Sequence, residues 1–267
     1  MREIVLNETE WAKEAINALS LGKKPYETIV RVAKYYKSEG YRKSEVRRQV
    51  EDFMIRSDPR LSLVKWNDAI TSAVNAAEKY PPVCIAGVTI TEPEMEKIEQ
   101  LDSVLKQRVM FTLLCLAKYG NAVNPRNGNW VNLEQKDIFT LANVKITGKR
   151  QSLMINELWQ DEYIGYSCLV DNINLNVKIV EDGDPVMFVD DFRNLGNQYM
   201  LYHGGNYFAC EGCGIVLKAV PGVGRPQKYC QGCANSVKAG MDSDRNFIKR
   251  LDREFLRASQ KLPLPSL

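Results

Sequence analysis

Histidine is nearly missing from this chain of 267 residues, because His203 is the only one. This excludes the histidine-rich motifs of nucleases, and it excludes any Ser-His-Asp or Cys-His catalytic site that is not built on His203. Gly204 and Gly205 follow this residue directly, a pattern that favours an exposed turn over a metal ligand. The sequence therefore predicts a protein without a catalytic site.

Long hydrophobic runs are also missing. The longest, from Val109 to Ala117, is interrupted by Thr112 and is too short to cross a bilayer. The chain begins Met-Arg-Glu-Ile, without the apolar stretch of a secretory signal. Three cysteines stand singly in apolar surroundings, which is typical of reduced proteins: Cys84, Cys115 and Cys168. We expect a cytoplasmic protein with no membrane partner.

The overall composition is that of a globular protein, with 45% hydrophobic and 26% charged residues. Its length leaves room for two domains and a small module. The net charge is only +3, but it is unevenly spread, because residues 22–65, 103–160 and 210–267 are basic and alternate with acidic stretches. The basic stretches are either solvated helix faces or electropositive surfaces that meet a polyanion.

Two Cys-x-x-Cys pairs are the plainest chemical signal in the sequence. Cys210 and Cys213 form the first pair, Cys230 and Cys233 form the second, and sixteen residues separate the pairs. Two thiolates with two residues between them on a tight turn can face one tetrahedral zinc ion, and a second pair completes its coordination. Because no coordination position remains for water or substrate, we predict one structural Zn²⁺.

The first 82 residues predict a bundle of four short helices, with apolar residues at helical spacing in each. Pro25 suits a helix N-terminus, and Ser44 is a candidate N-cap. Four features carry a family resemblance: Gly22-Lys-Lys-Pro25, the helix end at Gly40, Tyr41-x-x-Ser44-Glu45-Val46 and the segment from Pro59 to Ile70. They make this block similar to the small helical domain that follows the catalytic module in many phage and plasmid primases. The sequence carries no acidic polymerase module before the block, and we expect no primase activity.

Pro81-Pro82 marks a boundary, since neither residue can continue a helix. Residues 83–185 then predict a helix, a strand, two helices joined by a tight turn, and a two-stranded ribbon, which is the order of a winged helix. The predicted elements are helices from Ser103 to Tyr119, from Asn132 onward and from Gly148 to Gln160, a strand at Trp130-Val131, and ribbon strands from Tyr163 to Ser167 and from Ile173 to Ile179. Asn132 with Gln135 predicts a capping box, and Asp171-Asn172 predicts the ribbon turn.

The third of these helices is the candidate for contact with nucleic acid. It begins with four residues of suitable chemistry: Lys149, Arg150, Gln151 and Ser152. In helix-turn-helix proteins such a helix enters the major groove, where Arg and Gln can read base edges while Lys and Ser contact phosphates. Winged helices also serve as protein-interaction modules, and acidic residues around the ribbon would repel phosphate. A protein partner is therefore the open alternative.

The stretch from Glu181 to Asp184, with Asp190-Asp191, is the one carboxylate cluster that could hold Mg²⁺. No neighbouring histidine completes a hydrolytic set. Asp182-Gly183 is also a common turn between two strands, and Val186 to Val189 has the composition of the second strand. We favour the turn.

Residues 186–240 predict a zinc-ribbon module, and residues 241–267 predict a basic amphipathic helix, from Ser243 to Ser259, with a short tail. Cations of the module and of the helix either track a phosphate backbone or are solvated. They are Lys218, Arg225, Lys228, Arg250 and Arg253.

Further motifs are spread over nearly the whole chain: Ile90-Thr-Glu-x-Glu94, Lys106-Gln-Arg108, Asp191-Phe-Arg-Asn-Leu-Gly196 and Lys228-Tyr-Cys-x-x-Cys233. They make the chain similar to an uncharacterised protein family from phages and integrated mobile elements of Firmicutes, and the resemblance implies a DNA-related role. We predict a mainly α protein with small β elements that binds DNA or RNA without enzymatic activity, in replication or transcription regulation. The alternative is an interaction factor, either a replisome adaptor or an inhibitor of a host or defence enzyme.

Overall fold

The computed structural model describes residues 4–167, 174–220 and 226–259, and for residues 244 and 250–259 it describes the backbone alone. The structure is mixed α/β and 56% helical, with small antiparallel sheets, which confirms the predicted class at this level. Two compact units divide the chain, Met1–Leu195 and Gly196–Leu267. In the part of the chain that is described, no helix is both long enough and apolar enough to cross a membrane.

Four helices open the first unit: α1 Glu8–Asn17, α2 Pro25–Ser38, α3 Lys43–Ser57 and α4 Leu63–Lys79. Their apolar residues recur every three or four positions and so share one core, in which Val32, Val50 and Ile70 are fully buried. Pro25 occupies the first turn of α2, where its missing N–H costs no hydrogen bond.

The start of α3 differs from the prediction. Its N-cap is Arg42, and the Arg42 N–H donates to Glu45 Oε2 over 2.8 Å. A glutamate at the third helical position reaches back to the N-cap and fixes the helix start there. The prediction of Ser44 as N-cap was therefore wrong, because Ser44 lies inside the first turn.

Among the residues that the structure describes, nine elements follow in the first unit: β1 Val88–Thr91, α5 Glu92–Glu99, α6 Val104–Val123, β2 Trp130–Val131, α7 Gln135–Leu141, α8 Gly148–Gln160, β3 Ile164–Tyr166, β4 Leu175–Val177 and β5 Pro185–Val189. Three strands pair in the order β2-β4-β3, and β1 pairs with β5. All these pairs are antiparallel. The apolar run from Val109 to Ala117 is buried in the middle of α6, which packs against helices and strands of both sheets.

The predicted ribbon is present, with Ile164 opposite Val177 and Tyr166 opposite Leu175. Its predicted turn at Asp171-Asn172, like Cys168, lies outside the described residues. The helix predicted before the ribbon, α8, has the expected bounds. In contrast, α7 begins at Gln135 with Glu134 as N-cap, so the capping box at Asn132 was wrong. Val131 is still paired in the sheet, and the chain needs the following residues to turn from strand to helix.

The second strand predicted after Asp182-Gly183 is β5, but its partner is β1, with Val88 opposite Val189. The turn therefore does not join β4 to β5 in a hairpin. Gly183 instead lies against the start of α5, where a Cβ would come within 2.7 Å of Pro93 Cδ. Alternation along the chain can predict a strand, but it carries no information on a partner that precedes α5.

Glu94 is a fully buried carboxylate that ties this part of the unit together. It sits at the third position of α5, and its Oε2 accepts the Thr91 N–H over 2.9 Å, which completes the capping box. Its Oε1 accepts the Glu181 N–H over 3.1 Å from the segment before β5. Lys118 of α6 donates to both oxygens, over 2.7 and 2.6 Å. The Lys118 ammonium and the two backbone N–H groups compensate the buried charge of Glu94, and they come from three different parts of the chain.

The Lys106-Gln-Arg108 motif holds α6 against its neighbours. Lys106 Nζ lies 2.9 Å from Glu157 Oε2 of α8, and Arg108 Nη2 donates to Ala142 O and Asn143 O at the end of α7, over 2.9 and 2.8 Å. Through these contacts the motif orients α7 and α8. Its role in the described structure is positional.

The second motif, Asp191-Phe-Arg-Asn-Leu-Gly196, also has structural contacts in the first unit. The Asp191 carboxylate accepts from Arg193 N over 2.8 Å and from Arg193 Nη2 over 2.6 Å. The buried Phe192 ring lies 5.5 Å from the Tyr119 ring of α6. These contacts fix the chain that follows β5.

The second unit consists of α9 Leu195–Tyr202, whose first residue belongs to the first unit, the strands β6 Tyr207–Ala209 and β7 Val216–Lys218, and α10 Gln231–Ser259. The strands form a hairpin in which Ala209 lies opposite Val216. The buried Asn197 donates from Nδ2 to Val216 O over 2.9 Å and links α9 to the hairpin. The last helix begins at Gln231, well before the predicted start at Ser243.

Candidate metal centre

The first cysteine pair lies at the tip of the β6–β7 hairpin. The Cys210 N–H donates to Ile215 O over 3.0 Å, and the Gly214 N–H donates to Cys210 O over 2.8 Å. These bonds close a tight loop between the strands. Such a loop places two thiols separated by two residues on one side of the hairpin.

The second pair opens α10. Cys230 directly precedes the helix and Cys233 lies in its first turn. The Cys233 N–H donates to Cys230 Sγ over 3.4 Å. Two hydrogen bonds join the segments that carry the pairs. The Cys230 N–H donates to Cys210 Sγ over 3.2 Å, and the Glu211 N–H donates to Lys228 O over 2.8 Å.

Gly212 allows the two pairs to approach each other. A Cβ at this position would lie 2.9 Å from Cys233 Sγ and 3.0 Å from Cys233 Cβ, closer than carbon and sulfur normally pack. Position 212 therefore requires glycine, because any side chain there would collide with Cys233 of the second pair.

The four thiol sulfurs of Cys210, Cys213, Cys230 and Cys233 lie within 4.8 Å of one another. Cys213 Sγ and Cys230 Sγ are 3.8 Å apart, far too long for a disulfide bond. Four ligands at about 2.3 Å from a central ion in tetrahedral geometry are themselves about 3.8 Å apart. Among the described residues this is the one cluster of His, Cys, Asp or Glu side chains placed to hold a metal ion. The cysteine group thus fits a tetrahedral metal, and the acidic stretch after β4 forms no such cluster.

The thiols differ in acidity because their surroundings differ. The N–H groups of Cys230, Gly212 and Cys213 lower the pKa of Cys210 to about 6, since they stabilise its thiolate. Hydrogen bonds with the sulfurs of Cys230, Cys213 and Cys210 raise the pKa of Cys233 to about 12, since they hold its proton in place, and burial and the charge of Cys210 act in the same direction. The Cys233 thiol therefore needs a cation beside it to become a thiolate at neutral pH.

The cations predicted around the cysteines are described in part. Lys218 is exposed in β7, and Lys228 Nζ lies 3.2 Å from Glu211 Oε1 at the surface. Arg225 and the side chains of Arg250 and Arg253 lie outside the described residues. His203 is exposed in the turn after α9, as predicted, and its ring centroid lies 4.4 Å from that of Tyr199.

The predicted groove-contacting residues form the first turn of α8 in the other unit. Lys149, Arg150 and Ser152 are exposed. Gln151 is half-buried and donates from Nε2 to Ile146 O over 3.2 Å, while Ser152 Oγ accepts from Gln135 Nε2 over 3.2 Å. Two cations are thus presented to solvent, and the amide that was expected to read bases is engaged with the backbone.

Sequence reasoning missed that α8 also exposes apolar side chains. Ile155 and Leu158 are buried, but Leu153 is 55% exposed and Trp159 is 45% exposed. The Trp159 ring lies 5.7 Å from the exposed ring of Tyr166 on β3. The missed signal is helical phase, because Leu153 lies on the opposite side of the helix from Ile155 and Leu158, whereas Trp159, one turn after Ile155, lies at the edge of the buried side.

A comparison with protein families, with curated proteins and with solved structures finds no match to this chain.

Proposed function

We propose that this protein binds nucleic acid, with DNA as the favoured ligand, and that it catalyses no reaction. The supporting observation is the pair of exposed cations, Lys149 and Arg150, in the first turn of α8. That helix occupies the third-helix place in the order α6, β2, α7, α8, β3, β4, with a sheet ordered β2-β4-β3. In a winged helix this is the element that enters the major groove, and its N-terminal dipole adds to the positive potential.

The cations of the second unit would add phosphate contacts. Lys218 and Lys228 are exposed, and Arg225, Arg250 and Arg253 share their basic stretch of sequence. The resemblance to phage and mobile-element proteins supports a role in replication or transcription regulation. The proposed ligand therefore carries many phosphates, and binding should depend steeply on salt.

We further propose that the metal is Zn²⁺, one ion per chain, in a zinc-ribbon module. Four cysteine sulfurs at tetrahedral spacing support this assignment, since soft thiolates favour Zn²⁺ over harder cations. With every coordination position filled by protein, the ion would be structural. A metal assay of the purified chain should give one zinc per chain, and any other stoichiometry or metal contradicts this assignment.

The test of nucleic-acid binding uses fluorescein-labelled duplex and single-stranded oligonucleotides, titrated at several salt concentrations. Lys149→Ala with Arg150→Ala should weaken binding by about tenfold or more and should reduce the salt slope by about 2, one for each lost phosphate contact. The matched control is Arg42→Ala with Lys43→Ala, an exposed pair of the same composition at the start of α3. Equal affinity of the α8 variant and the wild type would refute the groove assignment.

The second candidate is a protein-interaction factor, such as a replisome adaptor or an inhibitor of a host or defence enzyme. The specific observation in its favour is the exposed aromatic pair of Trp159 on α8 and Tyr166 on β3, with Leu153 also exposed on α8. Exposed apolar patches mark protein interfaces, and aromatic residues dominate their energetics. Absence of nucleic-acid binding at low salt would make this the preferred function.

A further inference from the structure

One side of α8 combines the exposed cation of Lys149 with the exposed ring of Trp159. Ser152 and Asn156 lie between them, and spacings of three or four residues place these four side chains in a row along the helix. At about 1.5 Å per residue, the row is about 15 Å long. The helix has a single carboxylate, Glu157, which lies outside the row and forms an ion pair with α6. The row itself therefore carries no negative charge.

The two ends of the row differ in charge. At the start of α8, Lys145 and Arg150 are exposed beside Lys149, and both line a shallow depression in front of the helix. At the other end, the exposed acids Asp161 and Glu162 follow the last turn. A phosphate is therefore attracted to the start, where the helix dipole adds to the cations, and repelled from the end. A ligand that extends along the row must contact its far end through an uncharged group.

The far end of the row is aromatic. Trp159 is 45% exposed, Tyr166 of β3 is 42% exposed, and their ring centroids lie 5.7 Å apart. The two rings are inclined by 49°, so they are not stacked on each other. Nucleobases are flat and uncharged, and they stack on such rings in proteins that bind single strands. Bases inside a duplex are already stacked on their neighbours, so rings of this kind select unpaired bases.

We propose that this side of α8 binds nucleic acid that contains unpaired bases, such as a duplex with a single-stranded extension. The phosphates lie toward Lys149 and Arg150, and the unpaired bases stack on Trp159 and Tyr166. At about 3.4 Å per stacked nucleotide, a strand of about five nucleotides joins the two ends of the row. This inference rests on the nucleic-acid binding proposed above, and it specifies which ligand that surface prefers.

The test compares three fluorescein-labelled ligands of the same length by fluorescence anisotropy, with the metal-loaded full chain. The first is a duplex with a single-stranded extension, the second is paired throughout, and the third has an extension of abasic nucleotides. The first should bind about tenfold more tightly than either of the others, as expected for one base stacked on an aromatic side chain. The paired ligand carries more phosphates and the abasic ligand carries equally many, so charge cannot produce this preference.

Substitution of the tryptophan should remove the preference and leave the rest of the binding intact. Trp159→Leu should weaken binding of the extended duplex by about tenfold and change binding of the paired duplex by less than about twofold. Trp159→Phe keeps a ring and should retain part of the preference. The control is Tyr80→Leu, because Tyr80 is a 62% exposed tyrosine at the end of α4, and its loss should affect neither ligand. Circular dichroism confirms that each variant is folded.

The outcomes separate this inference from the function on which it rests. Equal affinity for the extended and paired ligands, or a preference that Trp159→Leu leaves unchanged, would overturn the inference. If Lys149→Ala with Arg150→Ala still weakens binding of both ligands in that case, the proposed function stands without it. If none of the three ligands binds at low salt, both are overturned, and the aromatic pair is then assigned to a protein interface.

Discussion

Removal of Lys118 should destabilise the first unit far more than a surface ion pair would suggest. Glu94 is fully buried, and Lys118 supplies its only positive charge among the contacts described above. In Lys118→Met the carboxylate keeps the Thr91 and Glu181 N–H donors but loses its counter-ion. Loss of one partner from a buried pair costs about 3–5 kcal/mol, and the two remaining donors place the expected loss near the lower end, at about 3 kcal/mol.

A second substitution should restore part of this loss. Glu94→Gln in the Lys118→Met background removes the buried charge and keeps an amide oxygen that can accept the Thr91 N–H, but its amide NH2 replaces the oxygen that accepts the Glu181 N–H. We expect the double variant to be about 1 kcal/mol more stable than Lys118→Met alone, although it carries one more change. The free energy of unfolding is measured by urea titration of the metal-loaded chain, followed by circular dichroism.

The control is Lys97→Met, which breaks the ion pair between Lys97 and Glu181. Those side chains are 41% and 48% exposed, so the loss should stay below about 1 kcal/mol. A double variant as unstable as the sum of its two single variants would refute the role of the buried charge. The same conclusion follows if Lys97→Met costs as much as Lys118→Met.

Two further predictions concern the cysteine cluster. The backbone N–H groups lower the pKa of Cys210 to about 6, and the neighbouring sulfurs raise the pKa of Cys233 to about 12. Metal binding at pH 7 must therefore displace at least the Cys233 proton, and the affinity for the metal should rise with pH. An indicator dye in weak buffer measures the proton release, and equal metal affinity at pH 6 and pH 8 would contradict this prediction. Gly212→Ala should weaken metal affinity by about tenfold or more, since its Cβ would lie 2.9 Å from Cys233 Sγ. Gly232→Ala is its control, because there the nearest atom is Cys230 Sγ at 4.0 Å, and equal losses in the two variants would argue against the steric cause.

Features encoded within a few residues could be predicted from the sequence. The spacing of Cys210 to Cys233 predicted a cluster that the structure brings within 4.8 Å. The bounds of α8 and the pairing of β3 with β4 also followed from local periodicity and from a short connection. In these cases the residues that determine the structure lie close to one another in the sequence.

Features that depend on distant partners could not be predicted. The strand β5 was expected from its composition, but its partner β1 lies far away in the sequence, and contacts of α5 with both strands and of α6 with β1 accompany the pairing. Glu94 stood out in the sequence only as part of a motif, because its contacts with Lys118 and Glu181 come from other elements. Long-range pairing carries no periodic signal in a single sequence, so a carboxylate at a helix start looks the same whether it is solvated or buried.

The place of the cysteine cluster in the chain suggests why a metal there would matter beyond its four ligands. It lies at the first turn of α10, whose described side chains from residue 235 to residue 249 are all exposed, including Met241 and Ile248. A helix with few tertiary contacts must carry the cost of forming its first turn, and further turns add favourably once that turn exists. A metal bound to Cys230 and Cys233 would fix that turn, in which Cys230 O already accepts the Ala234 N–H over 2.9 Å. The ion would therefore determine both the closure of the hairpin loop and the extent of the basic helix that follows it.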